Sequence, residues 1–275
     1  MRLARRVFRN TPIQRLRITT FIYKHAARRA FGTESVEVPF RGSRILYPGD
    51  DYTTLPTLLD GIYELNELDA VMSYLDSLSS PITAVDVGAN VGIWTVLMAK
   101  HKNVKQVLAF EPSPTNISFL RANLELNNVQ EKVTVIESAV LDINGEVNFD
   151  DDGNGATKHL SKTGTSKVSG VSLDSYLNGA SVELIKIDVE GYEPLVLEGC
   201  WKTIETSLPT LFIEYSLPNV RTAGLSWNLA GKKLCRLYSK FLIISESGSK
   251  VESNFESLAH DNRLLNLQFS TTTNN

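Results

Sequence analysis

Ala84-Val85-Asp86-Val87-Gly88-Ala89-Asn90-Val91-Gly92-Ile93-Trp94-Thr95 is the stretch on which the fold turns. The apolar run from Ile82 to Val87 reads as a buried parallel strand. A Gly-x-Asn-x-Gly turn follows, where the missing side chain lets another backbone or a ligand come close. From Ile93 to Lys100 the pattern is helical, so a helix N-terminus faces whatever binds at the turn. Alone, the turn says only that something approaches the backbone, so its meaning rests on the rest of the chain.

Working outward, Gln106–Phe110 reads as a strand and Ser113–Leu126 as a helix, with Ser113 as cap and Pro114 in the first turn. Strands are expected at Val133–Glu137 and Glu146–Phe149. Residues 150–167 are Gly, Asp, Thr, Lys and Ser with almost no apolar content, and read as a long, lid-like loop. Leu173–Leu177 should be helical, Leu184–Asp188 a strand, Pro194–Cys200 a helix and Thr210–Tyr215 a strand. Leu229–Phe241 reads as mostly helical, with strands at Leu242–Ser245 and Leu264–Phe269. Strands alternating with helices predict an α/β fold, a parallel sheet with helices on both faces. Upstream, Val36–Phe40 and Arg44–Tyr47 flank Arg41-Gly42-Ser43 as a hairpin, and apolar residues from Leu65 to Leu78 recur at helical spacing. The chain divides into a basic arm at 1–31, a lead-in hairpin and helix at 32–80, and a main domain at 81–270.

With 275 residues, 42% hydrophobic and 21% charged, the chain can bury a sizeable core. Cys200 and Cys235 make neither a disulfide framework nor metal-ligand spacing, so a reducing, cytoplasmic setting is expected. No apolar run approaches the ~20 residues of a membrane-spanning helix. The net charge of −3 hides an asymmetry: residues 1–31 carry nine Lys or Arg and no acid, against nineteen basic and thirty-one acidic residues beyond. Phe21, Ile22 and Ala26 fall at helical spacing beside Arg17, Lys24, Arg28 and Arg29. The arm therefore reads as an amphipathic helix that touches a membrane surface or another anionic partner, as an organelle address, or as a solvated basic helix packed on the domain. The acidic remainder, without a basic stripe, argues against a nucleic-acid partner. Nothing in the sequence marks an oligomeric state.

Open parallel sheets bind ligands at the carboxyl ends of their strands. Here those ends deliver Asp86 with Gly88, Asn90 and Gly92, then Glu111 with Pro112, then Glu137-Ser138-Ala139, then Asp188 and Glu190 with Glu193 beyond, then Glu214 and Tyr215. Every end carries an acid. Glu111 follows Asp86 by 25 positions, near the ~20-residue offset at which an acid meets ribose hydroxyls. Ser138 and Ala139 stand where an adenine edge would sit. Lys186 lies two residues before Asp188 and so on its face of the strand. It reads either as a salt bridge satisfying Asp188 or as part of a reacting cluster. His159 is an outlying base candidate, more simply a solvated loop histidine. A nicotinamide turn would need Gly-x-Gly-x-x-Gly, but Asn90 replaces the middle glycine and the third is missing. No phosphate-cradling Gly-x-x-x-x-Gly-Lys occurs, and acids without a basic clamp disfavour a pyrophosphate. A ribose-bearing, adenine-bearing, positively charged cofactor fits better. S-adenosylmethionine has all three features, with Asp86 meeting its amino acid end or an ordered water and Glu111 its ribose. Several acids could also hold a divalent ion that lowers an acceptor's pKa.

Val85-Asp86-Val87-Gly88-Ala89-Asn90-Val91-Gly92 is followed by Phe110-Glu111-Pro112-Ser113-Pro114, with Asn123 and Asn127 in the next helix. Ser138-Ala139-Val140, Gly145-Glu146-Val147, Leu173-Asp174-Ser175-Tyr176, Ile185-Lys186-Ile187-Asp188-Val189-Glu190-Gly191-Tyr192-Glu193 and Gly199 come after. From about Tyr63 to Glu214 this combination resembles the FkbM-like family of S-adenosylmethionine-dependent methyltransferases. The resemblance implies a Rossmann-like class I methyltransferase fold with a mostly parallel seven-stranded sheet. It also implies methylation of hydroxyls on small molecules, sugars or glycans. On that reading Asp188, Lys186 and Glu190 form the catalytic cluster, with Glu193 and Glu214 shaping it. The cofactor falls to Asp86, Gly88, Asn90, Gly92, Glu111, Pro112, Ser138 and Ala139. Two rivals stand beside it: a sugar oxidoreductase with another nucleotide cofactor, and a non-catalytic scaffold docked through the basic arm. The missing third glycine counts against the first and the dense acids against the second. The arm, which lies outside the resemblance, would suit a membrane-peripheral setting and a lipid-linked sugar acceptor.

Overall fold

In the computed structural model, residues 35–49, 54–61, 63–150, 159–160, 164, 166–244, 250–253, 255–258, 261 and 263–271 are described. The basic arm at 1–31 and most of the segment 151–165 lie outside them. The chain opens with a hairpin, β1 (Ser35–Phe40) and β2 (Ser43–Pro48), paired antiparallel. Its two loop residues, Arg41 (φ 47) and Gly42 (φ 71), both take the positive φ that a tight two-residue hairpin needs. Helices α1 (Thr54–Leu59) and α2 (Leu65–Ser77) follow.

The Val- and Ile-rich run then forms β3 (Ile82–Val87), buried at every position but Thr83. Helix α3 (Ile93–Lys100) has no polar face, because its residues Ile93 to Ala99 are all buried. Next come β4 (Val104–Phe110), α4 (Pro114–Leu126) and β5 (Val133–Ile136). Helix α4 starts as expected, with Ser113 Oγ accepting from the Asn116 N–H at 3.3 Å. A small sheet uses β6 (Ser138–Val140), β7 (Gly145–Asp150), β8 (His159–Leu160) and β9 (Ser166–Val171). The rest is α5 (Leu173–Leu177), β10 (Leu184–Ile187), α6 (Glu193–Gly199), α7 (Trp201–Ser207), β11 (Thr210–Ser216), α8 (Leu217–Thr222), α9 (Asn228–Leu237), β12 (Phe241–Ile244), β13 (Lys250–Ser253) and β14 (Leu264–Phe269).

The main sheet runs β13-β12-β14-β11-β10-β3-β4-β5. Its five central and flanking strands from β11 to β5 are parallel, and β14 inserts antiparallel between β11 and β12. Seven of these strands make the expected sheet, and β13 adds an eighth at the outer edge by pairing with β12. From β3 the chain winds outward through β4 and β5, then returns to β10 on the other side of β3. That reversal opens a crevice at the carboxyl ends of β3 and β10. No helix among the described residues is long and apolar enough to cross a membrane.

The lead-in is built into the domain. Asn123 and Asn127, one turn apart on α4, present their amides to β2 as a strand edge would. Asn123 accepts from the Leu46 N–H (2.6 Å) and donates to the Leu46 carbonyl (2.9 Å) and the Val91 carbonyl (2.8 Å). Asn127 does the same for Arg44, at 3.0 and 2.7 Å. Val38, Phe40, Ile45 and Tyr47 pack in one core with Ala84, Val96 and Leu120. A boundary drawn at residue 81 therefore crosses a single core.

Three expectations about local structure change. The lid-like loop at 150–167 contains β8 and the start of β9, which pairs with β6 and β7 over a core of Ala139, Leu141, Phe149 and Val168. The chain after Cys200 continues as α7, and Leu217–Thr222 is helical as well. The helix expected to reach Phe241 stops at Leu237, and Phe241 opens β12.

Candidate active site

The turn after β3 places Gly88 (φ 83), Asn90 (φ 52) and Gly92 (φ 89) in the left-handed region. A Cβ on Gly88 would run into the Asp188 carbonyl oxygen, and one on Gly92 into the Leu120 side chain. The glycines thus serve close packing of β3 against the end of β10 and of the turn against α4. Glu111, at the end of β4, binds this turn down. It accepts from the Asn90 N–H at 2.8 Å, the Ser113 N–H at 2.9 Å and Asn116 Nδ2 at 3.2 Å.

Above the turn lies a cleft of about 140 Å³. Gly88, Asn90, Glu111, Pro112, Ser138 and Ala139 line it from the ends of β3, β4 and β6. Lys186, Asp188, Glu190 and Glu214 line it from β10 and β11, joined by Tyr63, Glu64 and Trp94. Asp86, Gly92 and Glu193 are not on its wall. Asp86 is fully buried, with Oδ2 accepting from Thr95 Oγ1 at 2.6 Å and Oδ1 3.9 Å from Lys186 Nζ. It supports Lys186 from below, so contact with a cofactor's amino acid end does not follow from its position. Glu193 is 1% exposed and accepts from the Val189 and Gly191 N–H groups, holding the loop that carries Glu190. His159 lies in β8, and its side chain is outside the described residues.

Lys186 Nζ sits 3.1 Å from Asp188 Oδ2 and 5.1 Å from the centroid of the Trp94 ring. Burial works to lower its pKa, but Asp188, Asp86 and Glu64 outweigh it and hold the ammonium charged. The acids around it move the other way. Burial, then the charge of Asp188, pushes Glu64 up to about 7, against the opposing effects of Lys186 and of Trp94 Nε1, which donates to Glu64 Oε2 at 2.6 Å. Burial, Asp188 and Glu193 push Glu190 up to about 8. Burial, followed by Asp188 and Glu190, drives Glu214 well above the carboxylate range. Asp86 is raised by burial too. Glu190 itself stands at a positive φ of 53, and its Oε2 accepts from Asn219 Nδ2 at 3.1 Å.

Sequence reasoning did not single out Glu64, Trp94 or Asn219. Glu64 arrives from the lead-in at a left-handed φ of 40, which no glycine or asparagine announces. Trp94 falls in the helical pattern from Ile93 to Lys100, where only its indole N–H marks it as a candidate.

The cleft suits the cofactor inferred from the sequence. Its described wall offers one basic group, Lys186, so a diphosphate finds little there, whereas a sulfonium and an ammonium find carboxylates. Asn90 Oδ1 is a buried acceptor on that wall without a hydrogen-bond partner among the described residues, as a donor-bearing ligand would require.

Comparison with known proteins points the same way. A family model described as the methyltransferase FkbM domain matches residues 86–236. A crystal structure of methyltransferase FkbM from Methylobacillus flagellatus KT is 19% identical with a TM-score of 0.50, covering 79% of this chain and 53% of that one. A SAM-dependent methyltransferase from Agrobacterium tumefaciens is 11% identical with a TM-score of 0.50, over 87% of this chain and 71% of that one. Both likenesses concern the fold. Among curated proteins, Methyltransferase 1 of Beauveria bassiana (strain ARSEF 2860) is 42% identical over 45 residues, 16% of this chain and 18% of that protein. The chain thus spans about half of the Methylobacillus structure and less than a fifth of the fungal protein.

Proposed function

This chain belongs to the FkbM methyltransferase family, and on that premise we propose that it transfers a methyl group from S-adenosylmethionine to a hydroxyl of a small molecule, sugar or glycan. One observation carries the reading: carboxylates of near-neutral pKa line a cleft at the sheet's switch point, around a single lysine. S-adenosylmethionine, when bound, supplies a methyl group already activated on a sulfonium. Gly88, Asn90 and Glu111 would hold its amino acid and ribose parts, and Pro112, Ser138 and Ala139 its adenine. The chain's own task is to align the acceptor oxygen and take its proton. Asp188 is engaged by Lys186, which leaves Glu64, with a pKa of about 7, suited to the proton. Trp94 Nε1 fixes one Glu64 oxygen, so the carboxylate meets the acceptor in one orientation. Glu64 receives the hydroxyl proton as the oxygen takes the methyl group, then returns it to solvent.

The test is transfer of labelled methyl to a panel of sugars, glycolipids and polyketide alcohols, with mass spectrometry of the product. Label on a hydroxyl oxygen supports the reading. Absence of any cofactor binding by calorimetry would sink it and favour the scaffold. For the basic arm we propose contact with an anionic membrane surface. If removing residues 1–31 leaves liposome binding unchanged, that contact does not exist.

A further inference from the structure

Three carboxylates from two strand ends converge in the cleft: one oxygen each of Asp188, Glu190 and Glu214 lie within 4.8 Å of one another. Donors reach two of them, Lys186 Nζ to Asp188 and Asn219 Nδ2 to Glu190, both at 3.1 Å. Glu214 differs. Its Oε2 is buried without a hydrogen-bond partner among the described residues. Glu214 also stands on the wall shared by the cleft and a small adjoining cavity of about 20 Å³, which Glu64, Glu67 and Asn266 help to line. A buried carboxylate oxygen without a donor is costly unless the group holds a proton or a cation takes the proton's place.

We propose that Asp188, Glu190 and Glu214 form a binding site for one hard divalent cation. The donor set is all carboxylate oxygen, which selects Mg²⁺, Mn²⁺ or Ca²⁺ over thiol- and imidazole-seeking metals. Oxygens up to 4.8 Å apart match ligands on opposite sides of an ion with bonds of about 2.1–2.4 Å. Lys186 and Asn219 then act as outer partners that orient two of the three ligands. The ion's role rests on the methyl-transfer reading: beside an acceptor hydroxyl it lowers the hydroxyl pKa, so that Glu64 removes the proton at neutral pH. Its binding does not depend on that reading.

The 275-residue chain is stripped with a chelator and titrated with Mn²⁺, the free ion being followed by electron paramagnetic resonance. S-adenosylmethionine binding is measured by calorimetry on the same sample. The expected result is one saturable site, competed by Mg²⁺. Glu214→Gln and Glu190→Gln should each weaken it at least about tenfold while keeping a cooperative thermal transition. No saturable Mn²⁺ binding by the wild type up to about 1 mM, the weak end of protein sites, overturns the proposal. Unchanged Mn²⁺ affinity in both variants does so too. Cofactor binding without Mn²⁺ binding removes the ion and leaves methyl transfer standing; Mn²⁺ binding without cofactor binding keeps the site and removes the methyltransferase reading.

Discussion

Replacing Glu193 with glutamine should change how stability responds to pH, with a sign that follows from its surroundings. Glu193 is 1% exposed, with Oε1 accepting from two loop N–H groups and Oε2 buried without a partner among the described residues. Burial pushes its pKa from 4.5 to about 7, against the backbone N–H groups that favour the anion. Between those two values the folded chain holds a proton that the unfolded chain releases. Stability therefore falls as pH rises through that window and is level above about 7. At about 1.36 kcal/mol per pH unit, the wild type loses about 2–3 kcal/mol from this group between about pH 5 and pH 8. Glu193→Gln cannot ionise, and its amide oxygen can still accept from Val189 and Gly191. Its stability relative to wild type should rise by that amount across the same range, whatever the offset at acid pH. Urea unfolding followed by tryptophan fluorescence at the two pH values measures the difference. Glu64 titrates in both proteins and largely cancels, whereas Glu190 and Glu214 lose the Glu193 charge that raises them, which adds to the difference with the same sign. A difference independent of pH, or one that shrinks as pH rises, would refute the reasoning.

Trp94→Phe removes the donor that favours ionised Glu64, so the acid limb of the kcat–pH profile should move to higher pH; an unmoved limb would count against Glu64 as proton acceptor. Gly88→Ala combines a positive φ with a collision against the Asp188 carbonyl, and should cost about 3 kcal/mol or more together with cofactor binding. A wild-type Tm for that variant would contradict the packing described for the turn. Asn123→Ala loses hydrogen bonds to Leu46 and Val91 and should cost about 2–4 kcal/mol. Hydrogen exchange at the Leu46 amide should quicken with it, and protection equal to wild type would show that the hairpin is held by other means.

The alternation of strands and helices, and the acids at the strand ends, were legible because both follow from short-range rules. Periodicity marks a strand, and a polar residue ends it. Asp86 shows where that logic stops: its cross-strand neighbour is Lys186, and it lies fully buried beside the cleft wall although it sits one residue from the turn. Glu64 was out of reach because a left-handed residue ahead of α2, not a strand end, delivers it. The small sheet was missed because β6 pairs with β9 about thirty residues away, and β9 buries Val168 and Gly170 among serines and a lysine, which reads as polar. The count of seven strands came from family resemblance, and β13 lay beyond it.

The amide contacts of Asn123 have a consequence for how the chain folds. They join β2 to the carbonyl of Val91 across 77 and 32 residues of sequence. During synthesis the hairpin leaves the ribosome first, but its docking edge does not exist until α4 has emerged. Both the hairpin and the glycine turn therefore wait on one residue, and order arrives at the two together. A chain released before Leu126 would carry an undocked strand pair and an unfinished cofactor turn, a natural substrate for chaperones.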